Sequence, residues 1–177
     1  MAKLSVQYVN KLIPDAYHGT EFSVAKKIKA GTKFEPSTDR DSYLGDGVYF
    51  FETDMGLAVW WAKKRTRRPG TWAVLQATIQ LGRCLDLFSQ ENRDKLKFWR
   101  TVLAERLKDT RIEDPWVINS FAEEHGLDTV RCIFKPEAVQ PIYEGSKICE
   151  SFRVVISVRN IGNISPPSIS MACTGTI

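Results

Sequence analysis

Cysteine is scarce in this chain and badly placed for a metal. The four thiols, Cys84, Cys132, Cys149 and Cys173, form no Cys-x-x-Cys pair. Neither histidine stands at ligand spacing, which argues against a structural zinc. Cys84, Cys132 and Cys149 lie in apolar contexts and read as buried thiols rather than disulfide halves. No apolar run approaches the roughly 18 residues of a membrane helix. Met1-Ala2-Lys3-Leu4-Ser5 lacks the apolar core of a signal peptide, so a soluble, cytoplasmic protein is expected. Eleven Gly and eight Pro are ordinary numbers and exclude wholesale disorder. No repeat is visible. Charge of one sign does not dominate either: 25 Lys and Arg against 21 Asp and Glu give +4, short of a dedicated nucleic-acid binder.

What is present suits one globular domain, since 43% of the 177 residues are hydrophobic. That domain is expected over residues 1–164, followed by a tail at 165–177 that is loosely ordered unless it docks on the body or a partner. Residues 20–30 predict a short helix, with Thr20 as N-cap and Gly31 as stop. Val48 to Phe51 predicts a strand. Asp54 caps a helix through Trp60 to about Lys64, and Pro69-Gly70 breaks the chain. Trp72 to Leu81 alternates as a strand, which Gly82 is expected to turn, with Cys84 to Leu87 extended beyond it. Ser89 caps a helix to about Lys108, with Leu96, Trp99, Val102, Leu103 and Leu107 on one face. Residues 115–125 form another helix, closed by Gly126. Strands are expected at Thr129–Phe134, around Ile142–Tyr143 and at Phe152–Val158, the last central because of its β-branched residues. The class is α+β, with antiparallel-rich sheet and flanking helices.

Two short segments carry the chemistry. Ala16-Tyr17-His18-Gly19-Thr20 comes first, and Gly45-Asp46-Gly47-Val48-Tyr49-Phe50 follows, with Trp60-Trp61 on the next helix. Together they resemble the nicotinamide pocket of the ADP-ribosyltransferases, of the His-Tyr-Glu kind shared by diphtheria-like toxins and poly(ADP-ribose) polymerases. The resemblance implies that family's split, two-sheet core and NAD as substrate, with no metal. It implies that His18 bonds a ribose hydroxyl and that Gly19, whose missing side chain allows close approach, meets the carboxamide with its backbone beside Thr20. Tyr49 would lie on one nicotinamide face. The position eleven residues on, Trp60, would take the other with an indole where the family usually has Tyr. Adjacent helical residues point about 100° apart, so only one of Trp60 and Trp61 is expected to stack. A Glu at the start of a late strand would stabilise charge on the ribose, as in glycosidases. Glu150 fits by position, and Glu144 is the second candidate. Leu57 stands where the family often has a small hydroxyl residue. Asp86 reads as a turn or cap residue.

The implied activity is mono-ADP-ribosyl transfer to a macromolecule, by a small toxin of a toxin–antitoxin or phage-defence system, with an antitoxin or chaperone as partner and the tail as its docking segment. The run Lys63, Lys64, Arg65, Arg67 and Arg68 is the candidate acceptor-binding rim. It favours RNA or DNA slightly over protein, because clustered cations gain by releasing counterions. Two other readings stay open: a degenerate domain that binds NAD or a partner without turnover, and an RNA 2′-phosphotransferase-like enzyme.

Overall fold

The structure is a computed structural model and describes residues 6, 8–38, 42–67, 69–134, 143–144, 146, 153–165 and 170–177. It is α+β, with a sheet core and flanking helices. In chain order the elements are β1 (Tyr8–Glu21), α1 (Phe22–Lys29), β2 (Val48–Glu52), α2 (Met55–Arg65), β3 (Thr71–Asp86), α3 (Gln90–Leu107), α4 (Asp114–His125), β4 (Thr129–Phe134), β5 (Arg153–Val158) and β6 (Ser170–Thr176). The sheet order is β1-β2-β5-β4-β3-β6, and β1 also pairs with β3, so five strands close into a ring. Extended pairings make two leaves, β1–β3–β6 and β2–β5–β4, all antiparallel. Short pairings join the leaves: β1 meets β2 at Ala16–Glu52 and Tyr17–Phe51, and β3 runs parallel to β4 over Cys84–Asp86.

Alternation along each strand sends neighbours to opposite sides. Phe50, Ala73, Leu75 and Ile156 join Ile13, Ile28, Ile79 and Leu81 in one apolar cluster. Phe51, Val74, Leu85 and Val155 join Trp99, Leu103, Val117, Ile118 and Phe121 in the other, beneath α2, α3 and α4. The centre of β3 is therefore buried on both faces, which explains why Val74 is fully buried although its alternation placed it with Gln76, Thr78 and Gln80. β5 is central, between β2 and β4.

Local signals set the helix ends. The Asp54 carboxylate accepts from Leu57 N–H at 2.8 Å, Ser89 Oγ accepts from Asn92 N–H at 3.4 Å, and Gly126 ends α4 in a left-handed conformation. Three expectations are corrected, and of the two courses open to the tail it takes the docked one. Thr20 is a strand residue, and α1 starts after Glu21 without a side-chain cap. Gly82 does not end its strand: with φ +62° it bends β3 against Asp128 and Asn163, and the ladder runs on to Asp86. Leu107 is exposed beyond the buried stripe of α3. The tail docks as β6 along Thr71–Gln76 of β3. The strand expected around Ile142–Tyr143 is not described as one, because Ile142 lies outside the described residues. Among the described residues no helix is long and apolar enough to cross a membrane, and no group of three or more His, Cys, Asp or Glu is placed to hold a metal.

Candidate functional site

β1 and β2 are paired only as far as Tyr17–Phe51 and then part. The next residue, His18, spans the gap: its Nδ1 lies 2.9 Å from the Tyr49 carbonyl. A carbonyl only accepts, so Nδ1 carries the hydrogen, and in the neutral ring Nε2 is left as an acceptor. The ring is held edge-on to Phe34 at 5.4 Å and tilted against Phe50 at 5.5 Å. Burial pushes its pKa below the ordinary 6.5, against the opposing pull of the bond to Tyr49 and with the Arg65 charge adding to the fall. His18 is thus neutral at pH 7.

The parted strands open into a cavity of about 470 Å³, a volume typical of small-ligand sites. His18, Gly19, Thr20 and Tyr49 line it, with Trp61 and Arg65 contributed by α2. From His18 on, β1 keeps β3 on one edge while the other faces the gap. Alternate residues of a strand turn their N–H and C=O to opposite edges, so this stretch offers backbone groups to a ligand. Gly19 is buried against α2, where a Cβ would strike the Ala58 carbonyl and the Ala62 backbone nitrogen. Gly19, Ala58 and Ala62 together let α2 press onto β1 and bring its Trp61–Arg65 face to the cavity.

Tyr49 lines the cavity, but its hydroxyl is turned to structural use. It accepts from Leu44 N–H at 2.9 Å and donates to the Gly45 carbonyl at 2.8 Å. Asn119 holds the same loop from α4: its Oδ1 accepts from Asp46 N–H at 2.8 Å and from Arg159 at 2.7 Å, and Arg159 also donates to the Asp46 carbonyl at 2.9 Å. Gly45 has φ +74°, and a side chain there would strike Asn119. Nothing local in the sequence marks Asn119 and Arg159, whose bonds span 73, 113 and 40 positions.

No family model matches the chain. It is 32% identical over 82 residues to an uncharacterized protein of Methanocaldococcus jannaschii, a likeness covering 44% of this chain and 38% of that protein. The chain therefore spans well under two thirds of that relative's length.

The structure brings His18, Gly19, Thr20, Tyr49 and Arg65 together. Of the paired indoles it is Trp61 that lines the cavity, edge-on to Phe51 at 6.3 Å, while Trp60 is 54% exposed. Lys63 and Lys64 do not enter it: Lys63 lies over Trp72 at 5.3 Å, and Lys64 over Trp60 at 5.5 Å and Trp61 at 5.1 Å. Lys63, Lys64 and Arg65 form the last turn of α2, where cations suit the helix dipole, and Arg67 follows, exposed. Arg68 and Glu150 lie outside the described residues, as does Cys149. Glu144 is exposed and does not line the cavity. On β5 the residue level with Tyr49 is Ser157. The cavity's own carboxylates, among the described residues, are Glu21 and Glu35, and its other cations are Lys27 and Lys33. No motif marked these four; they converge only when α1 and the following loop fold over the gap. Asp86 accepts from Arg131 and from Phe88 N–H at a turn, in keeping with a structural role.

Proposed function

We propose that this chain has the ADP-ribosyltransferase fold and is an NAD-dependent mono-ADP-ribosyltransferase. The observation that carries the reading is His18 locked across the gap between β1 and β2, beside an open strand edge at Gly19. Two leaves of sheet joined by short pairings support it further. In this reading the Gly19 edge takes the carboxamide, the Tyr49 and Trp61 rings flank the nicotinamide, and His18 Nε2 accepts from a ribose hydroxyl. The glycosidic C1′–N bond breaks with its electron pair leaving on neutral nicotinamide. The acceptor's nucleophile then bonds C1′ and gives its proton to a base. A carboxylate stabilises the oxocarbenium-like charge between these events. Glu150 is our assignment for it, with Glu21 and Glu35 as the carboxylates already at the cavity. The acceptor is a macromolecule, RNA or DNA before protein. A cytoplasmic toxin role, with an antitoxin or chaperone partner, rests on the resemblance of the motifs alone.

The test uses NAD labelled on its adenylate, incubated with the protein and with RNA, DNA or lysate. Transfer of label, with nicotinamide release lost in His18→Ala and Glu150→Gln, is the expected result. Loss in Glu21→Gln or Glu35→Gln but not Glu150→Gln would move the carboxylate assignment. No cleavage by a folded protein would leave the degenerate binding domain. The cations Lys27, Lys33 and Arg65 suit the NAD pyrophosphate, and they also favour a second reading, RNA 2′-phosphotransfer. Removal of phosphate from a 2′-phosphorylated oligonucleotide in the presence of NAD would decide for that second reading.

A further inference from the structure

Helix α2 carries two aromatic–cation pairs at i,i+4 spacing on neighbouring faces, Trp61 with Arg65 and Trp60 with Lys64. The first faces the cavity. The second lies just outside it, with Trp60 54% exposed, its ring centroid 6.0 Å from that of Trp61, and the Lys64 ammonium over both indoles. Trp60 is not among the buried or partly buried residues of either apolar cluster, so much of its indole faces solvent.

Charge separates Trp60 from the chain's other exposed tryptophan. Trp116 is 65% exposed but shares its shallow hollow with Asp109 and Glu113, and the Arg111 there is paired to Asp109 at 3.3 Å. A phosphate-bearing strand would be repelled. Lys64 lies on Trp60 itself, and Lys63, Arg65 and Arg67 follow on the same stretch of chain, with no acidic residue between Asp54 and Asp86 in the sequence. An exposed π-surface within a positive rim is what single-stranded nucleic acids use: bases stack on the ring while cations follow the backbone. A folded protein exposes flat groups singly, whereas a single strand offers a base face at every nucleotide, and in a duplex those faces are covered.

We propose that Trp60 with Lys64 is a base-stacking platform at the mouth of the cavity, and that the acceptor is a single-stranded nucleic acid. This rests on the transferase reading above for its purpose, though not for its measurement. The platform sits one residue from the cavity wall, so a nucleotide stacked on Trp60 would place its neighbour at the Trp61–Arg65 face.

The experiment measures anisotropy of labelled oligothymidylate and oligouridylate, about twelve nucleotides long to cover a typical single-strand site, without NAD. The parent is expected to bind both, more weakly as salt rises. Trp60→Ala should weaken binding by about tenfold or more and Trp60→Phe by less than about threefold, since a ring keeps the stack. Lys64→Ala should lower affinity and flatten the salt dependence. Trp60→Ala binding as tightly as the parent, a parent that binds neither oligonucleotide, or a duplex held as tightly as the single strands would each overturn the proposal. Nicotinamide release by the parent is measured separately. Oligonucleotide binding without release counts against the NAD reading alone, and release without binding counts against the platform alone.

Discussion

His18 couples the site to pH through one ring set into the cavity wall. Its pKa lies below 6.5 in the folded chain, mainly through burial, whereas the unfolded chain restores the ordinary value. Between the two, the unfolded state binds more protons, so stability rises with pH across that window and falls as pH drops from about 6.5. Protonation also removes the Nε2 acceptor that the proposed ribose contact requires. His18→Gln keeps an N–H for the Tyr49 carbonyl and cannot titrate. Melting temperatures of the two proteins between pH 5 and 7.5 should converge toward low pH, and parallel curves would contradict a neutral His18. Tyr49 makes a second prediction at this scale. Its hydroxyl satisfies Leu44 N–H and the Gly45 carbonyl together, so Tyr49→Phe should cost about 1–2 kcal/mol in urea unfolding. The loop before β2 would loosen although the ring remains. A ring-only role, as the sequence suggested, would leave stability unchanged.

Two contacts between elements hold the cavity's shape. One is Gly19 beneath Ala58 and Ala62. In Gly19→Ala the added methyl meets helix backbone that cannot swing aside, so α2 must lift, at roughly 1–3 kcal/mol, and take Trp61 and Arg65 with it. The matching chemical-shift changes should run along α2 and spare α3; changes confined to residue 19 would refute the close packing. The other is Arg131 on β4. It binds Glu52 through Nε and Nη2 at 2.6 and 2.9 Å and Asp86 through Nη1 at 3.0 Å, with Phe88 stacked on the guanidinium at 4.2 Å. This ties the ends of β2 and β3 to β4 where the two leaves meet. Arg131→Met leaves two shielded carboxylates facing each other and should cost about 3 kcal/mol by denaturant titration. The sequence makes the glycine legible as a motif residue, because its neighbours in the chain mark it. It does not show which helix presses on the glycine, and it leaves Arg131 indistinguishable from any strand arginine. Its partners sit 79 and 45 positions away.

For the whole molecule, what could be read beforehand was whatever repeats locally: strand alternation, helix caps at Asp54 and Ser89, the left-handed Gly126, and a motif pair that meets in one cavity. What could not be read was closure. A strand of sixteen residues through Gly82 and an edge strand from the tail depend on pairing partners far along the chain, and alternation is silent about partners. The tail bears directly on stability. β6 covers the free edge of β3 over Thr71–Gln76, Gly175 lies against the Trp72 ring, and Met171, Ala172, Cys173 and Ile177 pack on the two clusters. Removing residues 170–177 would uncover Trp72 and expose an apolar strand edge that readily pairs with another copy. Partial burial of four such side chains contributes roughly 3 kcal/mol, and at about 2–4 °C per kcal/mol for a domain this size the melting temperature should fall by about 6–12 °C. Gly175→Val should lower it in the same direction by driving a side chain into the indole. A truncated chain that melts with the parent and keeps the parent's oligomeric state would mean that the β3 edge does not need its cover, and that the tail at 165–177 is free to serve a partner instead.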